Sequence, residues 1–156
     1  MKLKILSIGA KMPTWVQQAY AEYAKRMPRE CSIQLVEIAS AKRSKKSDIK
    51  KIKEEEKSRL LNAVNSTDYV VALDEKGKAW STADTAKKML SWQGVHQVVV
   101  LLIGGPDGLH EACLERANEC WSLSALTFPH PLVRVILAEQ LYRAWSLMNN
   151  HPYHRE

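Results

Sequence analysis

Short runs of apolar residues, spaced as in β-strands, recur along the chain. The run from Val98 to Ile103 is aliphatic without a break, which is typical of a strand buried on both faces of a parallel sheet. The predicted strands are Lys2–Ile8, Ile33–Ile38, Tyr69–Leu73, Val98–Ile103 and a short one around Trp121–Leu126.

Between these strands, apolar residues at helical spacing and capping residues predict helices. Asp48 can cap one helix, and Ser81 with Asp84 resembles a capping box at the start of another, which runs to about Trp92. The other predicted helices are 13–27, 109–118 and 131–149. This alternation predicts an α/β fold with a parallel-dominated sheet flanked by helices, as a single domain over residues 1–156.

The Val98–Ile103 strand runs directly into a glycine-rich loop, residues 104–108, with the sequence GGPDG. In α/β proteins, ligands bind at such junctions, beyond the carboxyl ends of the strands. The loop lacks the Lys-Ser or Lys-Thr of a P-loop and the glycine spacing of a dinucleotide fold, so its ligand stays open. The alternative is a tight turn that needs only a glycine with a positive φ.

The formal net charge is +6, and much of the positive charge lies in residues 42–53, the basic segment. Its members are Lys42, Arg43, Lys45, Lys46, Lys50, Lys51 and Lys53, against the single acid Asp48. Such a cluster favours contact with the phosphates of a nucleic acid. The alternative is a solvated loop and helix start, because glutamates follow at once.

The cysteine and hydropathy patterns argue against several classes of protein. Cys31, Cys113 and Cys120 form no C-x-x-C pair, which argues against a disulfide framework or a zinc site and predicts buried or partly buried thiols. No apolar run approaches the ~18 residues of a membrane span, and the first apolar stretch is too short for a signal peptide. We therefore expect a cytoplasmic protein without a metal.

Residues 121–131 mix small, hydroxyl and apolar side chains and then place His130 between two prolines. This composition suits a rigid wall of backbone amides and carbonyls that can bind the edge of an adenine, with Leu123, Leu126 and Phe128 as apolar surface. The alternative is a core strand followed by the entry to a helix.

The last predicted helix carries a stripe of apolar residues wide enough to face both its own sheet and a second subunit. The stripe consists of Val133, Leu137, Leu141, Trp145 and Met148, broadened by Leu132, Ile136 and Ala144. Glu139 and Arg143 are spaced to pair. After this helix, residues 151–155 supply histidine, tyrosine and arginine, which can move a proton, stack on a base and hold a phosphate. A frayed terminus is the alternative.

Three segments together resemble one known family. They are residues 102–108 (LIGGPDG), 121–134 (WSLSALTFPHPLVR), and 139–145 (EQLYRAW) followed by 150–156 (NHPYHRE). The chain is similar over essentially its full length to the small SPOUT methyltransferases of the large ribosomal subunit, the RlmH family.

That resemblance implies a SPOUT fold whose C-terminal part forms a trefoil knot, and a homodimer that binds S-adenosylmethionine in the knot. It also implies methylation of N3 of a pseudouridine in helix 69 of 23S rRNA. Because such a small chain has no separate RNA-binding domain, we expect the assembled ribosome to be the substrate.

The resemblance also implies site residues. For the cofactor they are Leu73, Gly105, Leu123, Ser124, Ala125, Leu126, Thr127 and Phe128. For the chemistry, His154 or His130 would handle the proton, Arg155 and Arg134 would contact a phosphate or anion, and Tyr153 would stack or close the pocket.

Two other function classes compete with this expectation. A basic RNA-binding or ribosome-associated module without catalysis would have a purely structural glycine loop and no affinity for the cofactor. A phosphate-ester enzyme would need clustered carboxylates for a metal, whereas Asp74, Glu75 and Asp107 lie in different predicted loops.

Overall fold

The computed structural model describes residues 1–154 and has a five-stranded parallel sheet in the order β2-β1-β4-β3-β5. The strands are β1 Lys2–Ile8, β2 Ser32–Ile38, β3 Tyr69–Ala79, β4 Val98–Ile103 and β5 Glu119–Ser122. The helices are α1 Thr14–Ala24, α2 Ile49–Asn62, α3 Thr82–Gln93, α4 Glu111–Arg116 and α5 His130–Met148. The predicted fold class, a parallel α/β sheet flanked by helices, is confirmed.

Helices cover both faces of this sheet. Helices α1, α3 and α5 pack on one face, around residues such as Leu101 and Leu137, whereas α2 and α4 pack on the other, around Leu102 and Leu60. Strand β4 lies in the centre of the sheet, and Val99 through Ile103 are buried. The unbroken aliphatic run is therefore explained by burial on both faces.

Local capping chemistry defines the helix starts. The Asp48 carboxylate accepts from the Lys50 N–H at 2.9 Å. Ser81 and Asp84 form a complete capping box at the start of α3. Before α4, Nδ1 of His110 accepts from the Ala112 N–H at 2.9 Å, so this helix is shorter than the predicted 109–118.

The predicted strand at 121–126 is wrong in its position, because β5 is Glu119–Ser122. The Ser122 hydroxyl donates to the Ser124 carbonyl at 3.0 Å, and the Leu126 N–H donates to Oγ of Ser124 at 2.9 Å. These side-chain bonds take backbone groups that a longer strand would pair in the sheet. The chain therefore leaves the sheet after Ser122.

The loop predicted after Leu73 is also wrong, because β3 continues to Ala79. Its pairing with β5 shifts register between Leu73 and Lys78, and both residues are opposite Trp121. A Cβ at Gly77 would lie 2.8 Å from backbone atoms of Trp121, so the close approach of the two strands requires glycine. The trefoil knot stays a prediction.

Candidate active site

A cavity of about 670 Å³ lies beyond the carboxyl ends of β4 and β5 and beside residues 73–76 within β3. Its walls come from three parts of the chain: residues 73–76, the loop after β4, and residues 121–133. The lining residues are Leu73, Asp74, Glu75, Lys76, Ile103, Gly104, Gly105, Pro106, Asp107, Gly108, Trp121, Ser122, Leu123, Ser124, Leu126, Thr127, Phe128, Pro129, His130 and Val133. The carboxyl edge of a parallel sheet is where ligand crevices form.

The glycine loop forms one wall of the cavity through its own tight turn. Gly108 has φ of 79°, and its N–H donates to the Gly105 carbonyl at 2.9 Å. A Cβ at Gly104 would lie 2.6 Å from the carbonyl carbon of Gly108. The loop is thus both a turn that needs glycine and a cavity wall that exposes backbone to a ligand.

The segment after β5, residues 123–128, forms the opposite wall. Leu123, Ser124, Leu126, Thr127 and Phe128 line the cavity, whereas Ala125 is exposed and lies outside the lining. Leu126 is 68% exposed, a high value for an apolar side chain at the border of a cavity. The wall therefore combines apolar side chains with backbone groups.

His130 borders the cavity at the first turn of α5. Burial, followed by the positive charges of Arg134 and Arg43, lowers its pKa below the ordinary value of 6.5. Its Nδ1 is buried without a hydrogen-bond partner among residues 1–154. The imidazole is therefore neutral near pH 7 and can accept a proton.

Arg134 is buried beneath this region and does not line the cavity. Its guanidinium donates to Glu37 and to the Ser7 hydroxyl, both at 3.0 Å, and more weakly to the Gly9 carbonyl at 3.4 Å. The side chain is 1% exposed, so its two Nη groups are paired inside the fold, whereas its Nε is buried without a partner among residues 1–154. The positive charge of Arg134 nevertheless acts on His130, because it helps to lower the pKa of that imidazole.

His151 and Tyr153 lie against the other end of α5. The Tyr153 hydroxyl donates to Glu139 at 3.0 Å, and its ring lies 4.7 Å from that of Tyr142. Burial and the hydrogen bond to Glu139 raise the pKa of Tyr153 to about 12. His154 is half-buried, and the predicted Arg155 lies outside the described residues. Within one protomer, neither Tyr153 nor His154 borders the cavity.

The basic segment is mostly exposed to solvent, and its second residue, Arg43, pairs with a residue of the cavity lining. The Arg43 guanidinium pairs with the Asp107 carboxylate, and Asp107 lines the cavity. Lys42, Lys45, Lys46 and Lys50 are exposed. The structure therefore brings the positive segment and the glycine loop together.

Other predicted features have simpler outcomes. Cys31 and Cys113 are buried and Cys120 is half-buried, as predicted, and Glu139 pairs with Arg143. In residues 1–154, no cluster of three or more potential metal ligands occurs. None of the helices in that range combines the length and apolar character needed to cross a membrane.

The model of one protein family, described as "Predicted SPOUT methyltransferase", matches residues 1–154. The chain belongs to the SPOUT methyltransferase family. Two relatives named "Ribosomal RNA large subunit methyltransferase H" are each 54% identical to it. The one from Hahella chejuensis matches over all of both chains, and the one from Methylococcus capsulatus over 99% of this chain and 100% of its own. This similarity confirms the predicted resemblance to the RlmH family.

A solved structure supports the fold of this SPOUT methyltransferase. It is described as that of "a probable methylase family protein" from Haemophilus influenzae, with a TM-score of 0.56 at 12% identity. The match covers 99% of this chain and 70% of that one.

Part of the site in this SPOUT chain was not predicted from the sequence. Residues 74–76 line the cavity because β3 continues past Leu73, and Asp107 lines it beside the predicted Gly105. The glycine at position 77 was an available signal, since a glycine inside a strand often marks an irregularity or a close backbone approach. Nothing in the sequence linked Arg43 to Asp107.

Proposed function

We propose that the protein methylates N3 of a pseudouridine in helix 69 of 23S rRNA, with S-adenosylmethionine as the methyl donor. One observation carries this proposal: Leu73, the glycine loop and residues 123–128, distant in sequence, meet around one cavity. These are the segments that the resemblance assigns to the cofactor. Relatives 54% identical over the full chain are named as methyltransferases of large-subunit ribosomal RNA, which supports the substrate class.

The residues present fit S-adenosylmethionine. The cavity volume of about 670 Å³ lies within the ~300–1,000 Å³ typical of small-molecule sites. Leu73, Leu123, Leu126 and Phe128 supply apolar contacts, and the backbone of the glycine loop and of residues 123–128 supplies donors and acceptors. Ser124, Thr127 and Gly105 complete the set of predicted cofactor residues on the lining. When bound, the cofactor supplies a methyl group already activated on a sulfonium.

In this proposal the residues of the site accept one proton, exclude water and supply positive charge. Pseudouridine N3 must lose its proton as it is methylated, and the neutral imidazole of His130 at the cavity border can accept it. The apolar walls exclude water from the reacting atoms. Arg134 contributes positive charge from below His130 rather than a direct contact, because its donors bind Glu37 and Ser7.

A second protomer completes the proposed site. Helix α5 rises about 18 Å from His130 to Tyr142, at about 1.5 Å per residue. Tyr153 packs at the Tyr142 end, and neither it nor His154 lines the cavity, so the roles expected for these two residues require the cavity of another copy. Trp15 on α1 is 57% exposed, and α1 packs against α5, which leaves apolar surface for such a homodimer.

The basic segment gives the proposed RNA contact. Its exposed lysines lie on a chain with a formal net charge of +6, which favours a polyanion. The assembled ribosome is the proposed substrate, since a surface already shaped by RNA and protein would add contacts to those of the basic segment.

Calorimetry and a methylation assay test the proposal together. We expect S-adenosylmethionine to bind at micromolar concentrations, and ribosomes that lack the modification to gain one methyl group on the helix 69 pseudouridine, detected by mass spectrometry of the excised fragment. No binding at high micromolar cofactor would instead favour a non-catalytic RNA-binding module. An enforced monomer with full activity would contradict the dimer.

A further inference from the structure

The start of the basic segment and the residues just before it make three contacts with α2 and the glycine loop. The Arg59 guanidinium donates to the Ala39 carbonyl at 2.7 Å, just before the segment. The buried Ala41 N–H donates to Glu56 at 3.2 Å. Arg43 then pairs with Asp107 on the loop itself. The start of the segment is therefore held in position rather than left as a free loop.

Glu56 connects the two elements from below. It is 3% exposed, unusual for a glutamate in a helix, and it belongs to α2. Its Oε1 would lie 3.2 Å from a Cβ at Gly105, so the carboxylate reaches the glycine loop while it accepts from Ala41. Glu56 therefore contacts both the residue just before the basic segment and the glycine loop.

Arg43 is the member of the segment that pairs with a residue of the cavity lining. Its partner Asp107 lines the cavity, and its charge helps to lower the pKa of His130, which lines it too. The Arg43 side chain remains 38% exposed, and its pair with Asp107 uses Nη2. A guanidinium carries five donors in a planar fork, so others remain for a second acceptor.

Assuming the proposed function, we propose that Arg43 binds an oxyanion of the RNA beside the target base, with Asp107 positioning its guanidinium at the cavity mouth. A phosphate oxygen matches the fork of the guanidinium and is the charged group nearest to any presented base. The exposed lysines of the segment attract RNA without orienting it. Arg43 therefore determines how the nucleotide is presented, and the lysines determine how tightly the RNA is held.

Two substitutions of equal charge change test this distinction. Arg43→Gln removes the guanidinium at the cavity, whereas Arg29→Gln removes one at the opposite, amino edge of the sheet, where Arg29 precedes β2. At saturating cofactor and ribosomes, we expect Arg43→Gln to lower the single-turnover rate about 10-fold to 100-fold, as misplaced substrate does. Arg29→Gln retains the wild-type rate.

Further variants separate binding from presentation. Lys46→Gln is expected to raise the half-saturating ribosome concentration a few-fold without lowering the rate at saturation. Arg43→Lys, which keeps the charge but loses the fork, restores only part of the rate. Asp107→Asn lowers the rate less than Arg43→Gln, because the guanidinium remains but is no longer oriented.

Three outcomes would overturn the role of Arg43. The first is a single-turnover rate for Arg43→Gln equal to that of the wild type. The second is a raised half-saturating ribosome concentration with an unchanged rate at saturation, as expected for Lys46→Gln. The third is a loss of cofactor affinity whose effect on the rate disappears at saturating cofactor. Calorimetry with S-adenosylmethionine and thermal unfolding of each variant identify the third outcome and any folding defect. If the wild-type protein itself fails to methylate ribosomes, the proposed function fails, which this series registers separately.

Discussion

The two ends of α5 differ in what surrounds them. At its first turn, the open end, His130 and Val133 border the cavity, and Nδ1 of His130 has no partner in residues 1–154. At its other end, the closed end, Tyr142 packs against Trp145 and Tyr153, with ring centroids 5.9 and 4.7 Å away. The same helix thus carries a site at one end and a packed aromatic cluster at the other.

The difference shows how residue type and position divide function between the two ends. Histidine and arginine occur near both ends, as His130 and Arg134 at one and as Arg143 and His151 at the other, so composition predicts function for both. At the closed end, however, Tyr153 and Arg143 bind Glu139, and these contacts stabilise the protomer. At the open end His130 borders a cavity, where a ligand can contact it.

The largest expected effect comes from the open end, at His130. His130→Asn should lower the single-turnover rate by about 10²–10⁴-fold through the loss of a general base. Under the proposed function, the neutral imidazole is the active form in the wild type. The rate should therefore fall as the pH drops through the folded-state pKa of His130, which lies below 6.5.

The same pKa shift predicts a dependence of stability on pH. Below pH 6.5 the unfolded chain binds a proton at His130 that the folded chain resists, so the free energy of unfolding falls as the pH drops. This loss levels off below the folded-state pKa and should disappear in His130→Asn. Urea unfolding from pH 7.5 to 5 measures it, and an identical slope in the variant would contradict it.

The second effect concerns the glycine loop at the open end. Gly104→Ala places a Cβ 2.6 Å from the carbonyl carbon of Gly108, so the loop must shift. Overpacking of this kind costs about 1–3 kcal/mol. If this cost is lost from the binding free energy, the cofactor dissociation constant rises about 5-fold to 150-fold. Calorimetry measures this change.

Gly94→Ala is the matched control for the loop. A Cβ at Gly94 meets nothing within 4 Å, and the residue has an ordinary right-handed φ of −89°. This variant should leave cofactor binding unchanged and stabilise the fold by about 0.4–1 kcal/mol. Wild-type affinity in Gly104→Ala would show that the loop does not shape the site.

The smallest effect is expected at the closed end. Tyr153→Phe removes the hydrogen bond to Glu139 but keeps the ring, and should lower the free energy of unfolding by about 0.5–1.5 kcal/mol. The control is Tyr23→Phe, because Tyr23 is also a half-buried tyrosine packed against the same face of the core as Tyr153. Turnover should stay close to wild type in both, and a large loss in Tyr153→Phe alone would show that the hydroxyl acts in the chemistry.

Much of the fold follows from local rules that the sequence displays. The buried run from Val98 to Ile103 predicted a central strand, and Ser81 with Asp84 predicted a capping box, because each depends on near neighbours. The end of β5 and the extension of β3 were mispredicted. Both depend on the hydrogen-bond partners and neighbours of backbone groups. The Leu126 N–H donates to the Ser124 side chain instead of to a strand, and the absence of a Cβ at Gly77 allows β3 to approach Trp121.

The sequence by itself determined the parallel α/β fold, the glycine loop, the positive charge and, through resemblance, the segments expected at the cofactor. Only the tertiary structure decided that Arg43 pairs with Asp107 and that the Nη groups of Arg134 bind Glu37 and Ser7. It also decided that Tyr153 binds Glu139 and lies outside the lining of the cavity. The physical reason is that strand patterns and caps depend on adjacent residues. Ion pairs and cavities instead join residues many positions apart, whose meeting depends on the complete packing of the chain.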